Sequence, residues 1–245
     1  MRNKIFSFIL ILLLFLSITV PTVSAVGLVG GEKACCGSTT QIFTLGIPVK
    51  ITSGVHSGSY GIIACGHAVE ADSVIYHPEL GSGNRIGTVI KKYSDGIDAA
   101  LIKLDPEITC KGSILGRGFM GLGHIDIHSC GPFDQNKAFR YSGAISGTIE
   151  NLTYNHTLTW PVSPDDDKSY SIRNVLVIDG DSLKGDSGAP VFQNYGLFDW
   201  NNKMVGLLSG SDELVHQVYV QQIQPVLDQL NVDGYSVTVL MGGQN

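Results

Sequence analysis

The chain has 245 residues, a formal net charge of −6 at neutral pH and 43% hydrophobic residues. That length suits one large β unit or two small domains, and it is ample for a hydrophobic core. The acidic balance, with no Lys/Arg cluster to offset it, excludes general attraction to nucleic acid.

In chain order, Arg2 and Lys4 precede an apolar stretch at 5–20, and Pro21-Thr22-Val23-Ser24-Ala25 follows. A charged region, an apolar core and a small-residue V-x-A site form the pattern of a signal peptide (1–25), with cleavage expected after Ala25. An uncleaved membrane anchor is the alternative, but the apolar core is shorter than the ~20 residues a span needs. A secreted or extracytoplasmic location is expected, membrane-anchored if the segment is kept. No stable membrane insertion is expected after cleavage. The five cysteines are Cys35, Cys36, Cys65, Cys110 and Cys130. An oxidising compartment favours disulfides, and the odd count leaves at least one thiol over. Cys110 and Cys130 each flank a turn-rich stretch and are the preferred pair. Adjacent Cys35 and Cys36 cannot bridge without strain. Cys65 sits inside an apolar run and reads as a buried free thiol. No C-x₂-C or H-x₃-H spacing is present, so no metal ligands are assigned and no cofactor is expected.

Thirty glycines and many short β-branched runs predict an all-β fold. Strands are expected at 41–52, 60–64, 73–77, 86–93 and 99–104, and again at 141–152, 171–178, 190–193 and 204–209. The 60–64 run leads into Cys65-Gly66-His67-Ala68, and Asp98 opens the 99–104 run. The glycine-rich stretch 116–123 is the expected junction between an N-terminal unit (26–115) and a C-terminal unit (116–245). Asn151 and Asn155 each open an N-x-T sequon, which fits an exposed loop. Val218, Ile223, Val226, Leu227 and Leu230 fall at helical spacings. Pro225 places the start of that helix near itself, where a missing N–H is harmless.

The chemistry concentrates in Gly185-Asp186-Ser187-Gly188-Ala189-Pro190. A serine between glycines suits a nucleophile on a tight turn. Such a turn can aim the N–H groups of Gly185 and Ser187 at one point, as an oxyanion hole. A serine hydroxyl needs a base, and His67 ends an apolar run among small residues. The base in turn needs a carboxylate to hold its tautomer, and Asp98 is the candidate. Each segment alone also reads blandly, as a surface turn, a surface histidine and a strand-start aspartate.

Together they fall in the order His67, Asp98, Ser187, which is the chymotrypsin order. The chain resembles the chymotrypsin-like (trypsin-type) serine proteases. G-D-S-G-A-P is similar to the family's G-D-S-G-G-P, A-C-G-H-A to T-A-[AG]-H-C, and D-A-A-L-I-K-L to D-I-A-L-L-K-L. Ser209-Gly210-Ser211 resembles the segment that lines the substrate channel. The style is that of the compact bacterial branch of streptogrisins and α-lytic protease. Ala68 stands where the family has a cysteine, which removes the usual disulfide of that loop.

The resemblance implies two six-stranded antiparallel β-barrels with a C-terminal helix. The first would carry His67 and Asp98 and the second Ser187. It implies a serine endopeptidase that hydrolyses peptide bonds through an acyl-enzyme, with a polypeptide substrate and a protein inhibitor as a further partner. It also places Asp181, six before the nucleophile, with Ser182 at the base of a pocket for Arg or Lys. A solvent-facing turn is the other reading of Asp181. Asp186 needs a cationic partner if buried, since an unpaired buried charge is costly. Arg140 before Tyr141-Ser142-Gly143 resembles the internal arginine of the bacterial branch, while a newly cut terminus at Leu28 is the alternative. A catalytically silent binding module on the same fold is the rival function, because fold alone does not prove activity.

Overall fold

A computed structural model describes residues 26–116, 123–162, 170–194 and 201–243. The expected signal segment lies outside these residues, as does most of the expected inter-domain junction. Seventeen strands and one helix are described. The first nine strands are β1 (Val26–Gly30), β2 (Lys33–Cys36), β3 (Ile42–Thr44), β4 (Ile47–Ile51), β5 (Tyr60–Ala64), β6 (Val74–Tyr76), β7 (Arg85–Tyr93), β8 (Ala99–Leu104) and β9 (Ile108–Leu115). Then come β10 (His124–Cys130), β11 (Phe139–Gly143), β12 (Gly147–Val162), β13 (Tyr170–Asp179), β14 (Pro190–Asn194), β15 (Asn202–Asp212) and β16 (Gln217–Gln222). Helix α1 (Ile223–Val232) and β17 (Val237–Val239) close the described chain.

The strands form two sheets. One runs β17-β4-β5-β8-β7-β6-β2-β3. The other runs β1-β9-β10-β15-β14-β11-β12-β13-β16, and an added β15–β16 pairing closes β11 to β16 into a six-stranded antiparallel barrel. The N-terminal sheet is a half-barrel of eight strands rather than a closed set of six. β1 and β9, both from the N-terminal stretch, extend the second sheet. β1 pairs parallel with β9, and β10 pairs parallel with β15. This is the chymotrypsin-like double-barrel plan, with the second barrel closed and the first open.

β5 and β8 show why their sequences are continuous apolar runs rather than alternating ones. Ile62, Ala64, Ala100 and Ile102 face the core of the first unit. Ile63, Ala99 and Leu101 face a second cluster, shared with Ile47, Val49, Phe192 and Leu207 and capped by Ile223, Val226 and Leu230 of α1. A strand buried on both faces has no polar side to alternate with. A third cluster, including Phe139, Tyr141, Leu176, Val191 and Val220, fills the second barrel.

Several expectations differ, among them the 141–152 run, which turns at 144–146 between β11 and β12. The 41–52 run breaks at Leu45-Gly46 into β3 and β4. The helical spacing at 218–230 covers a strand, β16, and then α1, with Pro225 in the first turn of the helix. The sequons lie on β12 rather than in a loop, and the Asn155 amide donates to Asp179 at 2.9 Å. The expected Cys110–Cys130 disulfide is absent, and all five cysteines are free thiols. Cys110 points into the first core, whereas Cys130 packs against the shared cluster.

Candidate active site

Pairing of β5 with β8, in the register Ala64↔Ala100, sets the turn after β5 beside the start of β8. That register brings His67 and Asp98 together. The Asp98 carboxylate, fully buried, accepts from the His67 backbone N–H and from Nδ1, both at 2.8 Å. Nε2 of the same ring lies 3.0 Å from Ser187 Oγ. The Asp98 backbone N–H donates to Gln221 Oε1 at 3.1 Å, which ties the carboxylate's strand to β16 of the barrel. Ser209, on β15, is buried against Asp98 and also lowers its pKa.

The charges follow from this geometry. Burial alone opposes ionisation of Asp98, but His67 beside it, with its ring and backbone hydrogen bonds, holds the carboxyl below the usual range. Burial likewise opposes a charged His67, but Asp98 outweighs it and holds the imidazole well above its ordinary value. Cys65, next along this wall, stays a neutral thiol because burial pushes its pKa up.

The turn that carries Ser187 is fixed from three sides. Gly188 N–H donates to Leu208 O at 2.8 Å, and Ala189 N–H donates to Asp186 O at 2.8 Å. Thr44 N–H donates to Ser187 O at 2.9 Å, and its hydroxyl donates to Gly185 O at 2.9 Å. Gly188 has φ +91°, and a Cβ there would sit 2.4 Å from Thr44 O. Only glycine meets both conditions. The N–H groups of Gly185 and Ser187 meet no acceptor among the described residues. That leaves them free for an oxyanion.

The expected Asp186–Arg140 ion pair is corrected by the geometry. Asp186 is fully buried and is satisfied by the N–H groups of Leu183 (2.9 Å), Ile145 (2.9 Å) and Ser146 (3.1 Å), with the Ser146 hydroxyl as a fourth donor. Four donors aimed at one carboxylate replace a cation. Gly143 makes room for this, because a Cβ there would lie 2.3 Å from Asp186 Oδ1. Arg140 instead reaches Glu150, at 3.9 Å across the β11–β12 hairpin.

The expected buried carboxylate for Arg or Lys is also not found. The Asp181 side chain is 65% exposed and pairs with His216 Nδ1 at 2.8 Å. Its backbone carbonyl, not its carboxylate, turns inward and accepts from the Tyr141 hydroxyl at 2.5 Å. Ser182 is buried, and Ser209, Gly210 and Ser211 lie on β15.

Sequence reasoning missed Thr44, Gln221, Ser146 and Trp160. The Trp160 indole lies against Gly210 and stacks on Tyr219, with ring centroids 4.3 Å apart. Nothing local marks these residues, since each acts across forty or more positions of chain.

No protein-family model and no curated protein sequence matches this chain. Solved structures do. Thermobifida fusca Protease A is similar with a TM-score of 0.67 at 16% identity, covering 88% of this chain and 100% of that one. A Nocardiopsis protease gives 0.67 at 17% identity, over 87% of this chain and 98% of the other. A glutamic acid-specific serine protease, described as using a histidine triad in substrate binding, gives 0.65 at 17% identity, over 86% and 100%. The chain therefore has the fold of the bacterial chymotrypsin-like serine proteases, over nearly their whole length.

Proposed function

We propose that this chain is a secreted serine endopeptidase. The observation that carries the reading is the continuous hydrogen-bonded line from buried Asp98 through His67 to Ser187 Oγ. His67 Nε2 takes the hydroxyl proton as Ser187 Oγ attacks a peptide carbonyl carbon. Asp98 holds the proton on Nδ1 and stabilises the imidazolium. The carbonyl oxygen gains its charge at the Gly185 and Ser187 N–H groups. The tetrahedral adduct collapses as His67 gives its proton to the leaving amine. Water, deprotonated by the same nitrogen, then hydrolyses the acyl-enzyme and returns Ser187 to its starting state.

The N-terminal signal pattern supports export, and the acidic charge supports a polypeptide rather than a nucleic-acid substrate. Asp181 bears on the residue before the cut. An exposed carboxylate is worth ~0.2–1 kcal/mol in an ion pair, and His216 already competes for it. Preference for Arg or Lys over an apolar residue is therefore at most about fivefold. The experiment is hydrolysis of a peptide panel varied at that one residue, by the wild-type chain and by Ser187→Ala. Cleavage by wild type alone, with a shallow preference, supports the reading. Equal cleavage by both refutes the nucleophile. A steep preference for Arg and Lys restores the pocket role of Asp181.

A further inference from the structure

Cys65 has no part in the hydrolytic cycle, yet it sits against the base that drives it. Its Sγ, a ring nitrogen of His67 and a carboxylate oxygen of Asp98 all lie within 4.8 Å of one another. Cys65 and Asp98 are fully buried, while the His67 side chain is 24% exposed and opens the cluster to solvent. A Cβ on Gly188 would lie 3.6 Å from Cys65 Sγ, so the thiol also borders the nucleophile turn. Beside Asp98, the buried Ser209 hydroxyl already favours the ionised carboxylate and is not counted as a ligand. A thiol, an imidazole and a carboxylate thus converge on one point.

We infer that this cluster is a latent inhibitory site for Zn²⁺, made by Cys65, His67 and Asp98. Sulfur, nitrogen and oxygen donors at about 2.0–2.3 Å in a tetrahedron are what Zn²⁺ takes. Donors of such a site stand about 3.3–3.6 Å apart by that geometry. The His67–Asp98 contact must then open by about half an ångström, and the widest separation must close by roughly one. On binding, the Cys65 thiol releases its proton to solvent and coordinates as thiolate. His67 coordinates through Nδ1, and the ring's proton moves to Nε2. Nε2 then donates where it formerly accepted, so the Ser187 proton has nowhere to go. One proton is released per ion, and no redox step is involved.

The inhibition readout rests on the peptidase reading, but metal binding is separable from it. In the Ser187→Ala chain, titration with Co²⁺ as a Zn²⁺ stand-in is expected to give one equivalent of thiolate-to-metal charge-transfer absorption. Zn²⁺ should displace it, and Cys65→Ala in that background should abolish it. In the active chain, micromolar Zn²⁺ is expected to slow hydrolysis at least tenfold, reversibly with a chelator. Cys65→Ser and Cys65→Ala, each compared with its own zinc-free rate, should be at least tenfold less sensitive. Zinc inhibition that persists unchanged in both variants overturns the site, as does a Co²⁺ spectrum without a thiolate band. Co²⁺ binding through Cys65 in a chain that cleaves no peptide keeps the metal site and rejects the peptidase reading instead.

Discussion

The Thr44 hydroxyl donates to the carbonyl of Gly185 at 2.9 Å and accepts from the Ala144 N–H at 3.0 Å. One side chain at the end of β3 thereby pins the nucleophile turn and the β11–β12 turn to the first sheet. Thr44→Val keeps the shape and removes both bonds, leaving a buried donor and acceptor unpaired. Such losses cost about 1–3 kcal/mol. Denaturant unfolding should report that loss, and turnover should fall by about tenfold as the turn loosens. Thr44→Ser should recover most of both. Wild-type turnover in Thr44→Val would show that the turn does not depend on this tie.

Asp186 and Arg140 should respond in opposite ways to truncation. Asp186→Ala strands the three backbone N–H groups and the Ser146 hydroxyl that converge on the carboxylate. Leaving these buried donors unpaired, at about 1–3 kcal/mol each, is expected to cost more than about 3 kcal/mol in all and to loosen the turn at 185–188. Arg140→Ala removes no donor from Asp186; its 3.9 Å contact with half-exposed Glu150 is worth less than about 1 kcal/mol, so the loss should be much the smaller of the two. Thermal melts of the two variants side by side check this. Comparable large losses would mean that Arg140 does carry the Asp186 charge.

The pH profile follows from His67. Its pKa is raised because Asp98 outweighs burial, and only the neutral ring can accept the Ser187 proton. The acid limb of kcat/KM should therefore lie above the ordinary histidine value of ~6.5. The stability linkage has the matching sign. The raised His67 pKa stabilises the fold fully below ~6.5 and loses that contribution as pH rises through the folded value. Asp98, whose pKa is lowered, contributes above the ordinary carboxylate range and loses it in acid. An acid limb at or below ~6.5 in wild type would contradict the pairing.

Thiol titration tests the cysteine assignments. The unfolded, unreduced chain should yield five thiols, one for each cysteine. In the native state, burial pushes Cys110 up to about 12 and Cys130 up to about 11, so both should react slowly. Cys36 differs. Burial raises its pKa, but hydrogen bonds led by those of Ser38 and Ser73 pull it to about 7. It should be the first buried thiol alkylated when the fold opens locally. Three thiols in the unfolded chain would show that a disulfide forms after all.

His67, Asp98 and Ser187, which the structure brings together, were legible in the sequence because each sits at the edge of an apolar run, and their order has a precedent. The double-sheet plan was legible for the same reason, from β-branched runs punctuated by glycine. What supports the groups was not. Thr44, Ser146 and Gln221 are ordinary polar residues whose partners lie 141, 40 and 123 positions away. Register and turn geometry decide such contacts, and no local pattern encodes them. The Arg140 and Asp181 readings failed for a related reason. The first assumed that a buried charge needs an opposite charge, whereas Asp186 uses backbone donors; the second carried a pocket role over by spacing alone, whereas the Asp181 side chain takes the other reading and faces solvent and His216. The break at Leu45-Gly46 hid because both halves of 41–52 are apolar and only the close packing beneath the nucleophile turn separates them.

Covalent labelling of the nucleophile is the most direct measurement of the proposed chemistry. The wild-type chain is treated with a fluorophosphonate, digested and read by mass spectrometry. A single adduct on Ser187, lost in His67→Ala and after acid denaturation of the protein, is the expected result. Adducts spread over surface serines, or none at all in a folded chain, would contradict an activated serine at this site.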